Sequence, residues 1–313
     1  MGKIDVVVDN VQPLTDRISA FRLVAAQGGA LPDWTPGAHV DVEIAGGTRS
    51  YSLIAFGPVP AAPESYTIAV QREDDGTGGS AAMHKLQAGD ALTIHAAKND
   101  FPVTPDAPAV LLAGGIGVTP LISMAAAVKA AGQGMRFHYA GRSADLMAYR
   151  TDLADTLGDA FTLHCDDAAS ALNLDALIAD LGAAHLYVCG PRGMIDAARA
   201  KAEAAGVPAD HIHFELFEAA APQDGDTAFE VQINDGSVFV IPPDKSIIDV
   251  LEENDVDVMY DCQRGDCGIC QTDVISGTPD HRDVVLSDTE RAEGKVMQIC
   301  VSRAKSERLV LDI

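Results

Sequence analysis

Apolar and polar residues alternate along short segments in the first hundred positions of the chain. Residues 4–8, 39–44 and 66–70 follow this pattern, with glycine and proline between them. Alternation with a period of two is typical of strands that bury one face. We therefore predict a small antiparallel β-barrel over residues 1–104.

The pattern changes between residues 105 and 222 to short, wholly apolar runs that alternate with alanine-rich helical segments. Apolar runs at 109–113, 135–139 and 185–189 predict strands, and the segment 121–131 predicts a helix between the first two. This order of strand, helix and strand predicts an α/β domain with a parallel sheet and helices on its faces.

The last part of the chain returns to short strands. Residues 223–228 are small and polar and predict a linker. Two runs at 229–233 and 237–241 flank Asn-Asp-Gly and predict a β-hairpin, and residues 246–253 predict a short helix. The predicted fold class is therefore multidomain, with a third domain at 229–313.

Length and charge narrow the classes of function. A chain of 313 residues is long enough for two or three domains, each with its own core. The net charge of 22 − 46 = −24 disfavours nucleic acid and anionic membranes as partners. No apolar run reaches the length of a membrane span, and the first residues do not form a signal sequence, so we expect a soluble cytoplasmic protein.

Four of the six cysteines form one pattern: Cys262, Cys267, Cys270 and Cys300. The spacing is Cys-x4-Cys-x2-Cys with a fourth cysteine after a gap of 29 residues, which is the plant-type spacing for a [2Fe-2S] cluster. Gly265 and Gly268 allow the loop to curl around a cluster and to direct N–H groups at its sulfur atoms. We predict that these four thiolates bind the two irons.

Two other readings of these cysteines remain open. A structural zinc site usually has two short Cys-x2-4-Cys pairs, whereas here one loop carries three cysteines. Disulfides require an oxidising compartment, for which the sequence gives no signal. Cys165 and Cys189 lie outside the pattern, and we expect them to be buried small residues rather than ligands.

The cysteine pattern, together with the flavin and nucleotide motifs described next, indicates a family resemblance. Residues 229–313 resemble a plant-type ferredoxin, which implies a β-grasp-like α+β fold. The whole chain resembles the phthalate dioxygenase reductase family, including reductases of the vanillate demethylase type. In that family a flavin domain, a pyridine-nucleotide domain and a C-terminal ferredoxin share one polypeptide.

The predicted flavin motif lies in a strand of the barrel: Arg49, Ser50, Tyr51 and Ser52. It resembles the Arg-x-Tyr-Ser motif of ferredoxin reductase-like proteins. Arg49 offers a forked cation for a phosphate, Tyr51 a flat face beside the isoalloxazine, and Ser52 a hydrogen bond near its reactive edge. Strand alternation places Arg49 and Tyr51 on one side, so Ser52 would reach the flavin mainly through its backbone or from a locally twisted strand. If the motif is considered alone, the alternative interpretation is an ordinary strand without a flavin.

A glycine-rich turn at residues 75–80 precedes a predicted helix at 81–86. Gly78 and Gly79, with Ser80 as the cap, would present free N–H groups to an anion. With Arg49 they form a predicted phosphate cradle. By resemblance this arrangement favours FMN over FAD, since no added aromatic platform for an adenine is evident.

Two further glycine turns follow predicted parallel strands. The first contains Gly114, Gly115, Gly117, Thr119 and Pro120. The second contains Cys189, Gly190 and Pro191. Glycines at strand ends allow a pyrophosphate to approach the backbone, although the first turn departs from Gly-x-Gly-x-x-Gly and a tight structural turn is a rival reading. By resemblance, Thr119 contacts the nicotinamide end and Cys189 lies near its reactive carbon, so we name Ser52, Thr119 and Cys189 as catalytic candidates.

Arg142 and Ser143 follow the next predicted strand and could hold a 2′-phosphate. Because no acidic residue stands immediately at that strand end, the local chemistry leaves NADPH open, while the family implies NADH. Phe217, near the end of the second domain, could stack over the flavin, with a core phenylalanine as the equal alternative.

The third domain is acidic, with 18 acidic and 8 basic residues between 229 and 313. Six acidic residues are close to the cysteines in sequence: Glu252, Glu253, Asp255, Asp257, Asp261 and Asp266. An acidic rim would attract a partner that carries a basic patch, and a solvated acidic surface is the alternative.

The predicted cofactors define a sequence of electron transfer. We expect NADH to reduce FMN, FMN to reduce the cluster with single electrons, and the cluster to reduce a separate protein. By resemblance the partner is a terminal oxygenase of the Rieske type, with a cytochrome P450 as the runner-up. The rival functions are a non-catalytic redox sensor or interaction subunit, and a reductase that acts directly on a quinone or ferric chelate.

Overall fold

The computed structural model describes residues 2–44, 47–74, 76, 78–217 and 223–313. The chain forms two compact units, Met1–Glu215 and Leu216–Ile313. Two positions of the predicted phosphate turn, Asp75 and Thr77, lie outside the described residues, as does the stretch 218–222 at the predicted end of the second domain. No helix in these ranges has the length and apolar character needed to cross a bilayer.

The first unit begins with the predicted antiparallel barrel. Its strands are β1 (Lys3–Pro13), β2 (Ile18–Ala25), β3 (His39–Ile44), β4 (Gly47–Ser52), β5 (Ser65–Gln71) and β6 (Ala91–His95), with the short helix α1 (Gly79–Met83) before β6. The order in the sheet is β4-β3-β6-β1-β2-β5, which makes a nearly closed barrel. The alternating pattern explains the core, because Val6 and Val8 of β1 are fully buried, while Val7 between them is only partly buried and Asp5 before them is exposed.

A parallel sheet forms the rest of the first unit. Its strands are β7 (Ala109–Gly114), β8 (Met135–Gly141), β9 (Phe161–Cys165), β10 (His185–Cys189) and β11 (Ile212–Glu215). Its helices are α2 (Val118–Ala130), α3 (Arg150–Leu157), α4 (Leu174–Ala179) and α5 (Arg192–Ala204). The order β11-β10-β7-β8-β9 changes direction between β7 and β10, which is where an open parallel sheet binds its ligand.

The barrel and the parallel sheet share a hydrophobic core. Ile18 and Ile54 of the barrel part belong to the same buried cluster as Leu121 and Met124 of α2. Gly37 lies against this core, because a Cβ atom there would lie 2.0 Å from the carbonyl oxygen of Phe101 and 2.9 Å from the terminal methyl group of Met124. The two parts therefore support each other, and the predicted boundary at 104 and 105 stays a prediction.

The second unit contains a mixed sheet. Its elements are β12 (Phe229–Gln232), β13 (Val238–Ile241), α6 (Ile247–Glu253), β14 (Gln271–Ser276), β15 (Pro279–Asp280), α7 (Asp288–Glu293), β16 (Val296–Gln298), β17 (Arg303–Ala304) and β18 (Arg308–Leu311). The main sheet has the order β13-β12-β18-β14-β16, and β15 pairs with β17. The predicted hairpin is β12 and β13, and the predicted helix is α6, which begins with a capping box between Ser246 and Asp249.

The predicted linker at 223–228 is bound to the second unit. Both carboxylate oxygens of Asp226 accept hydrogen bonds from Arg282, at 2.5 and 2.7 Å. The side chains of both residues are less than one tenth exposed, and the guanidinium of Arg303 donates to the carbonyl oxygen of Thr227 at 3.2 Å. A bidentate pair shielded from water holds this segment in one conformation.

Candidate functional site

The four cysteines of the predicted cluster motif lie together in the second unit. Cys262, Cys267 and Cys270 occupy the loop between α6 and β14, and Cys300 follows β16. The sulfur atom of Cys262 contacts those of Cys267 and Cys300, and Cys300 also contacts Cys270. The fold therefore brings the distant fourth cysteine to the loop, as the spacing predicts.

Mutual contact changes the acidity of these thiols. Hydrogen bonds from Cys267 and Cys300 lower the pKa of the Cys262 thiol. The contact with Cys300 likewise lowers the pKa of Cys270. Within the described ranges no three His, Cys, Asp or Glu side chains are arranged around a point that would hold a single metal ion. A [2Fe-2S] cluster requires four thiolates shared between two irons, and this donor set fits that group.

Left-handed backbone allows the cysteine loop to turn. Gln263, Gly265 and Gly268 have φ of +52°, +85° and +79°. The N–H of Arg264 donates to the sulfur of Cys262 at 3.3 Å, which is the direction that stabilises a thiolate ligand. Gly265 also has no room for a side chain, because a Cβ atom would lie 2.6 Å from Cγ2 of Val301.

Asp283 supports the loop from the segment before α7. Its side chain is fully buried, and Oδ2 accepts the N–H groups of Val285 at 3.1 Å and Leu286 at 2.9 Å. The neighbouring Val284 donates its N–H to the carbonyl oxygen of Gly265 at 2.9 Å. The turn at Asp283 thus fixes the position of the cysteine loop.

Asp266 departs from the expected acidic rim. Its side chain is only 6% exposed, and Oδ2 accepts the N–H of Leu216 at 2.8 Å. Burial raises the pKa of Asp266 to about 6, with the positive charge of Arg264 acting in the opposite direction. By contrast, four other residues expected in the acidic rim are exposed: Glu252, Glu253, Asp255 and Asp257.

Arg49 and the turn before α1 lie against each other, as the predicted phosphate cradle requires. A Cβ atom at Gly79 would lie 2.9 Å from Nε of Arg49, so a larger residue there would displace the Arg49 side chain. The predicted cap is wrong: Gly78, with φ of +89°, caps α1, and Ser80 lies inside the helix. The hydroxyl of Ser80 instead accepts the N–H of Glu73 at 2.9 Å, because the helix begins two residues earlier than the sequence suggested.

The other residues of the flavin motif alternate along β4. Ser50 is exposed and donates its hydroxyl to Asp41 at 2.6 Å. Tyr51 is half-buried, and desolvation raises the pKa of its phenol to about 12, so it stays neutral. Ser52 is 4% exposed. The structure thus places Arg49 and Tyr51 on alternate positions and buries the Ser52 side chain.

The two glycine turns of the parallel sheet face each other at the carboxyl ends of β7 and β10. A Cβ atom at Gly117 would lie 2.3 Å from the carbonyl oxygen of Cys189. A Cβ atom at Gly114 would lie 2.7 Å from Cδ of Pro191, and one at Gly190 would lie 2.8 Å from Cα of Gly114. These glycines therefore allow two backbone turns to meet at the point where the strand order changes.

Thr119, Pro120 and Cys189 are buried at this junction. The hydroxyl of Thr119 donates to the carbonyl oxygen of Ile116 at 3.1 Å, which fixes the start of α2. Gly115 has φ of +54°, and a Cβ atom there would meet nothing within 4 Å. The first turn is therefore open to a ligand at Gly115 and closed at Thr119.

Arg142 and Ser143 lie directly after β8, as predicted. Arg142 is exposed, and its carbonyl oxygen accepts the N–H of Asp167 at 3.1 Å. Asp167 follows β9, so a carboxylate does stand near this strand end, supplied by the neighbouring strand. The sequence did not indicate Asp167, because this residue follows β9 and not β8.

Glu215 is a further residue that the sequence did not single out. It pairs with Cys189 across β10 and β11, and it is 3% exposed. A glutamate that ends an otherwise apolar strand is the signal that could have identified it. Phe217, two residues later, is 37% exposed in the second unit, which gives it a ring surface available for stacking.

Two family models match separate parts of this chain. Residues 231–305 match the family model described as a 2Fe-2S iron-sulfur cluster binding domain. Residues 111–200 match the model described as an oxidoreductase NAD-binding domain. The first match contains all four cysteines, and the second contains both glycine turns.

Two relatives match over nearly their whole length. The carnitine monooxygenase reductase subunit of Escherichia coli (strain K12) is 38% identical, over 99% of this chain and 98% of its own. The tetrachlorobenzoquinone reductase of Sphingobium chlorophenolicum is also 38% identical, over 100% and 99%. Both are reductases by name.

A solved structure extends the agreement to the fold. Phthalate dioxygenase reductase, described as a modular structure for electron transfer from pyridine nucleotides to [2Fe-2S], has a TM-score of 0.76. It is 34% identical in sequence and covers 100% of this chain and 98% of its own. The likeness therefore includes barrel, parallel sheet and ferredoxin together.

Proposed function

Because this chain belongs to the phthalate dioxygenase reductase family, we propose that it is the reductase component of a multicomponent oxygenase. It is an oxidoreductase that uses a flavin, NADH and a [2Fe-2S] cluster. The observation that carries the proposal is the contact among four cysteine sulfurs on a chain that also carries two apposed glycine turns.

The protein supplies a binding position for each cofactor. When bound, the flavin accepts a hydride from the nicotinamide and releases the electrons singly to the cluster. Arg49 and the N–H groups at Gly79 hold the flavin phosphate, and Tyr51 provides a neutral flat face. We assign FMN rather than FAD because the family resemblance favours it and the sequence shows no evident aromatic platform for an adenine.

The nucleotide lies across the two glycine turns. The backbone at Gly115 receives the pyrophosphate, and the second turn, with Cys189 beside Glu215, positions the nicotinamide. Arg142 is exposed directly after β8, where it would reach a 2′-phosphate on the adenosine ribose, so it allows some use of NADPH as well as NADH.

The partner is a terminal oxygenase, of the Rieske type, that docks on the acidic ferredoxin surface. Three large apolar side chains are exposed on or beside the cysteine loop: Met259 at 78%, Ile269 at 49% and Val285 at 38%. The carboxylates of Glu252 and Asp257 lie on the same part of the chain and are also exposed. An apolar centre with charged surroundings is the usual anatomy of a transient protein interface, and its charge predicts a basic partner.

A second function is favoured by one relative. The tetrachlorobenzoquinone reductase shares 38% identity over the full chain, so direct reduction of a quinone is the rival to electron transfer to a protein. The two functions differ in whether the cluster is needed for turnover.

Replacement of a single cluster ligand distinguishes electron transfer to a protein from direct reduction of a quinone. We expect the C300A variant to lose the iron-dependent visible absorbance and NADH-driven reduction of cytochrome c, while NADH still bleaches its flavin. C165A, which removes a buried cysteine outside the cluster, keeps both properties. Quinone reduction at the wild-type rate in C300A would favour the rival function, and zinc in place of about two irons per chain would overturn the assignment.

A further inference from the structure

A fully buried glutamine lies beside the cysteine loop. Gln298 is the last residue of β16, and its neighbours Met297 and Ile299 are also buried. Burial of a side-chain amide is costly unless its polar ends are hydrogen-bonded. Both ends have partners, because Oε1 accepts from Sγ of Cys270 at 3.5 Å and Nε2 donates to Oε1 of Gln271 at 3.2 Å. Gln298 therefore connects a predicted cluster ligand to a second amide.

The pairing of two strands fixes this geometry. β14 and β16 are antiparallel, and Gln271 lies directly opposite Gln298. Cys270 immediately precedes β14, and its carbonyl oxygen accepts the N–H of Ile299 at 3.4 Å. Main-chain contacts on both strands thus hold the Gln298 amide against the sulfur atom. Rotation of the amide group about its last bond is the main freedom that remains.

The direction of the bond to sulfur depends on the state of Cys270. The oxygen and the NH2 group of a glutamine have nearly the same shape, so their partners determine which of them faces the sulfur. A thiol donates to the oxygen, as it does in the structure. A cysteine that binds iron is a thiolate and has no hydrogen to donate, so the amide oxygen would then face a buried anion. A half-turn of the Gln298 amide replaces this repulsion with an N–H donor.

Gln271 is able to follow that rotation. Its side chain is exposed, and its own amide can turn so that the NH2 group donates to Oε1 of Gln298. After both rotations, the chain of hydrogen bonds from Gln271 through Gln298 to Cys270 is complete in the opposite direction.

We propose that the side-chain amide of Gln298, oriented by Gln271, donates a hydrogen bond to the Cys270 thiolate and raises the reduction potential of the [2Fe-2S] cluster. Reduction adds negative charge to the cluster and its sulfur ligands, and an N–H donor stabilises that charge. The inference rests on the proposed function, because it takes Cys270 as a ligand of the cluster.

Three variants of the full-length holoprotein test this bond. Q298M removes both polar ends of the amide and keeps a long side chain of similar size in the buried position. Q271M is the matched control, because it removes an amide that bonds Gln298 rather than the sulfur. Q271E supplies only oxygen acceptors at its position, so it attracts the NH2 group of Gln298 away from the sulfur.

Anaerobic titration with dithionite and redox mediators, followed by the EPR signal of the reduced cluster, measures the midpoint potential. In Q298M we expect the ratio of reduced to oxidised cluster at a fixed potential to fall about tenfold, the factor for one hydrogen bond to a charged group, which lowers the midpoint by about 59 mV. Q271M should stay close to wild type, and Q271E should shift in the direction of Q298M. Each protein should contain about two irons per chain.

The added charge in Q271E would lower the potential by itself, and the double variant Q271E/Q298M distinguishes the two effects. If the carboxylate acts by turning the Gln298 amide, the substitution at 271 changes the potential much less in the Q298M background than in the wild-type background. An equal change in both backgrounds overturns the inference.

The remaining outcomes distinguish this inference from the proposed function. A wild-type potential in iron-loaded Q298M overturns the inference alone. If Q298M does not assemble the cluster, Q271E and Q271M are compared at high salt, which screens an exposed charge but not the direction of a buried amide, and equal potentials there overturn the inference. A C270A variant that keeps the EPR signal of the wild-type cluster overturns the proposed ligand set and with it the proposed function.

Discussion

The hydroxyl of Ser123, in α2, donates a hydrogen bond at 2.8 Å to the carbonyl oxygen of Leu53, directly after β4. The same hydroxyl accepts the N–H of Ala55 at 2.9 Å, and Ser123 is 1% exposed. Because β4 carries the predicted flavin motif and α2 starts at the first glycine turn, this one side chain connects the two proposed binding sites of the first unit.

Replacement of Ser123 by alanine tests this connection. S123A leaves the buried carbonyl oxygen of Leu53 and the partly buried N–H of Ala55 without this partner. Loss of the hydrogen bond to a buried group costs about 1–3 kcal/mol of the free energy of unfolding. We expect denaturant unfolding of the first unit to shift by that amount, together with slower flavin reduction by NADH. The control is S65A, whose hydroxyl accepts a hydrogen bond from Arg22 at an exposed strand end and should change stability by less than about 0.5 kcal/mol.

Close approach of the two glycine turns makes a second prediction. In G117A the new methyl group would lie 2.3 Å from the carbonyl oxygen of Cys189, so the turns must separate. Overpacking of this kind costs about 1–3 kcal/mol of stability. We expect NADH to bind G117A at least about tenfold more weakly, as measured by titration of the holoprotein.

Gly193 provides the matched control for G117A. It lies in the first turn of α5, is exposed, and has no atom within 4 Å of its Cβ position. G193A should bind NADH as wild type does and should be slightly more stable, because alanine favours a helix. Equal NADH affinity in G117A and G193A would contradict a binding site between the turns.

The sequence predicted those features that depend on local spacing. The cysteine pattern needs only a turn and one distant residue, and the glycine turns need only strand ends, which apolar runs such as 109–113 and 185–189 mark clearly. Parallel strands bring their carboxyl ends to one edge, so the apposition of Gly117 and Cys189 follows from the order of strands and helices.

Features that depend on long-range packing were not predictable. Asp266 was expected in an acidic rim, because nothing near it in sequence shows that the N–H of Leu216, 50 residues earlier, would draw it inward. Ser80 was expected to cap α1, since capping preferences favour serine over glycine, yet the left-handed Gly78 caps the helix. A long-range contact determined the position of Asp266, whereas the left-handed conformation of Gly78 determined the start of α1.

A cluster of histidines in the first unit predicts a dependence of stability on pH. His185 Nδ1 and His213 Nε2 lie 2.9 Å apart, and the ring of His211 stacks 4.1 Å from that of His185. Burial lowers the pKa of His213 to about 4, with His185 and His211 acting in the same direction and Asp210 in the opposite one.

The direction of this pH dependence follows from proton uptake by His213 on unfolding. An unfolded histidine binds a proton below about pH 6.5, whereas His213 in the folded state stays neutral down to about pH 4, so acidification within this window favours unfolding. Since the ring is partly exposed, we expect only roughly 0.5 kcal/mol at pH 5.5. Thermal unfolding should show a smaller difference between about pH 7.5 and 5.5 in H213Q than in wild type. Identical pH profiles would show that His213 does not titrate on unfolding.

The last prediction concerns the cysteine loop, where Gly265 combines a left-handed conformation with a close approach. Its φ is +85°, and a Cβ atom would lie 2.6 Å from Val301 and 3.1 Å from Cα of Asp283. Gly236, in the hairpin between β12 and β13, has nearly the same φ of +88° but no atom within 4 Å of its Cβ position. Alanine substitutions at these two glycines therefore distinguish the cost of backbone strain from the cost of a steric clash.

We expect G236A to lose about 1 kcal/mol of stability from the left-handed conformation alone and to retain its iron. G265A has the same conformational cost, and its new methyl group also pushes the cysteine loop away from Val301. We therefore expect G265A to incorporate well under half the iron of wild type. Iron and sulfide per chain, with the visible absorbance, measure the result. If G265A retains full iron content, the packing of the loop against Val301 and Asp283 is not what brings Cys262 and Cys267 to Cys300.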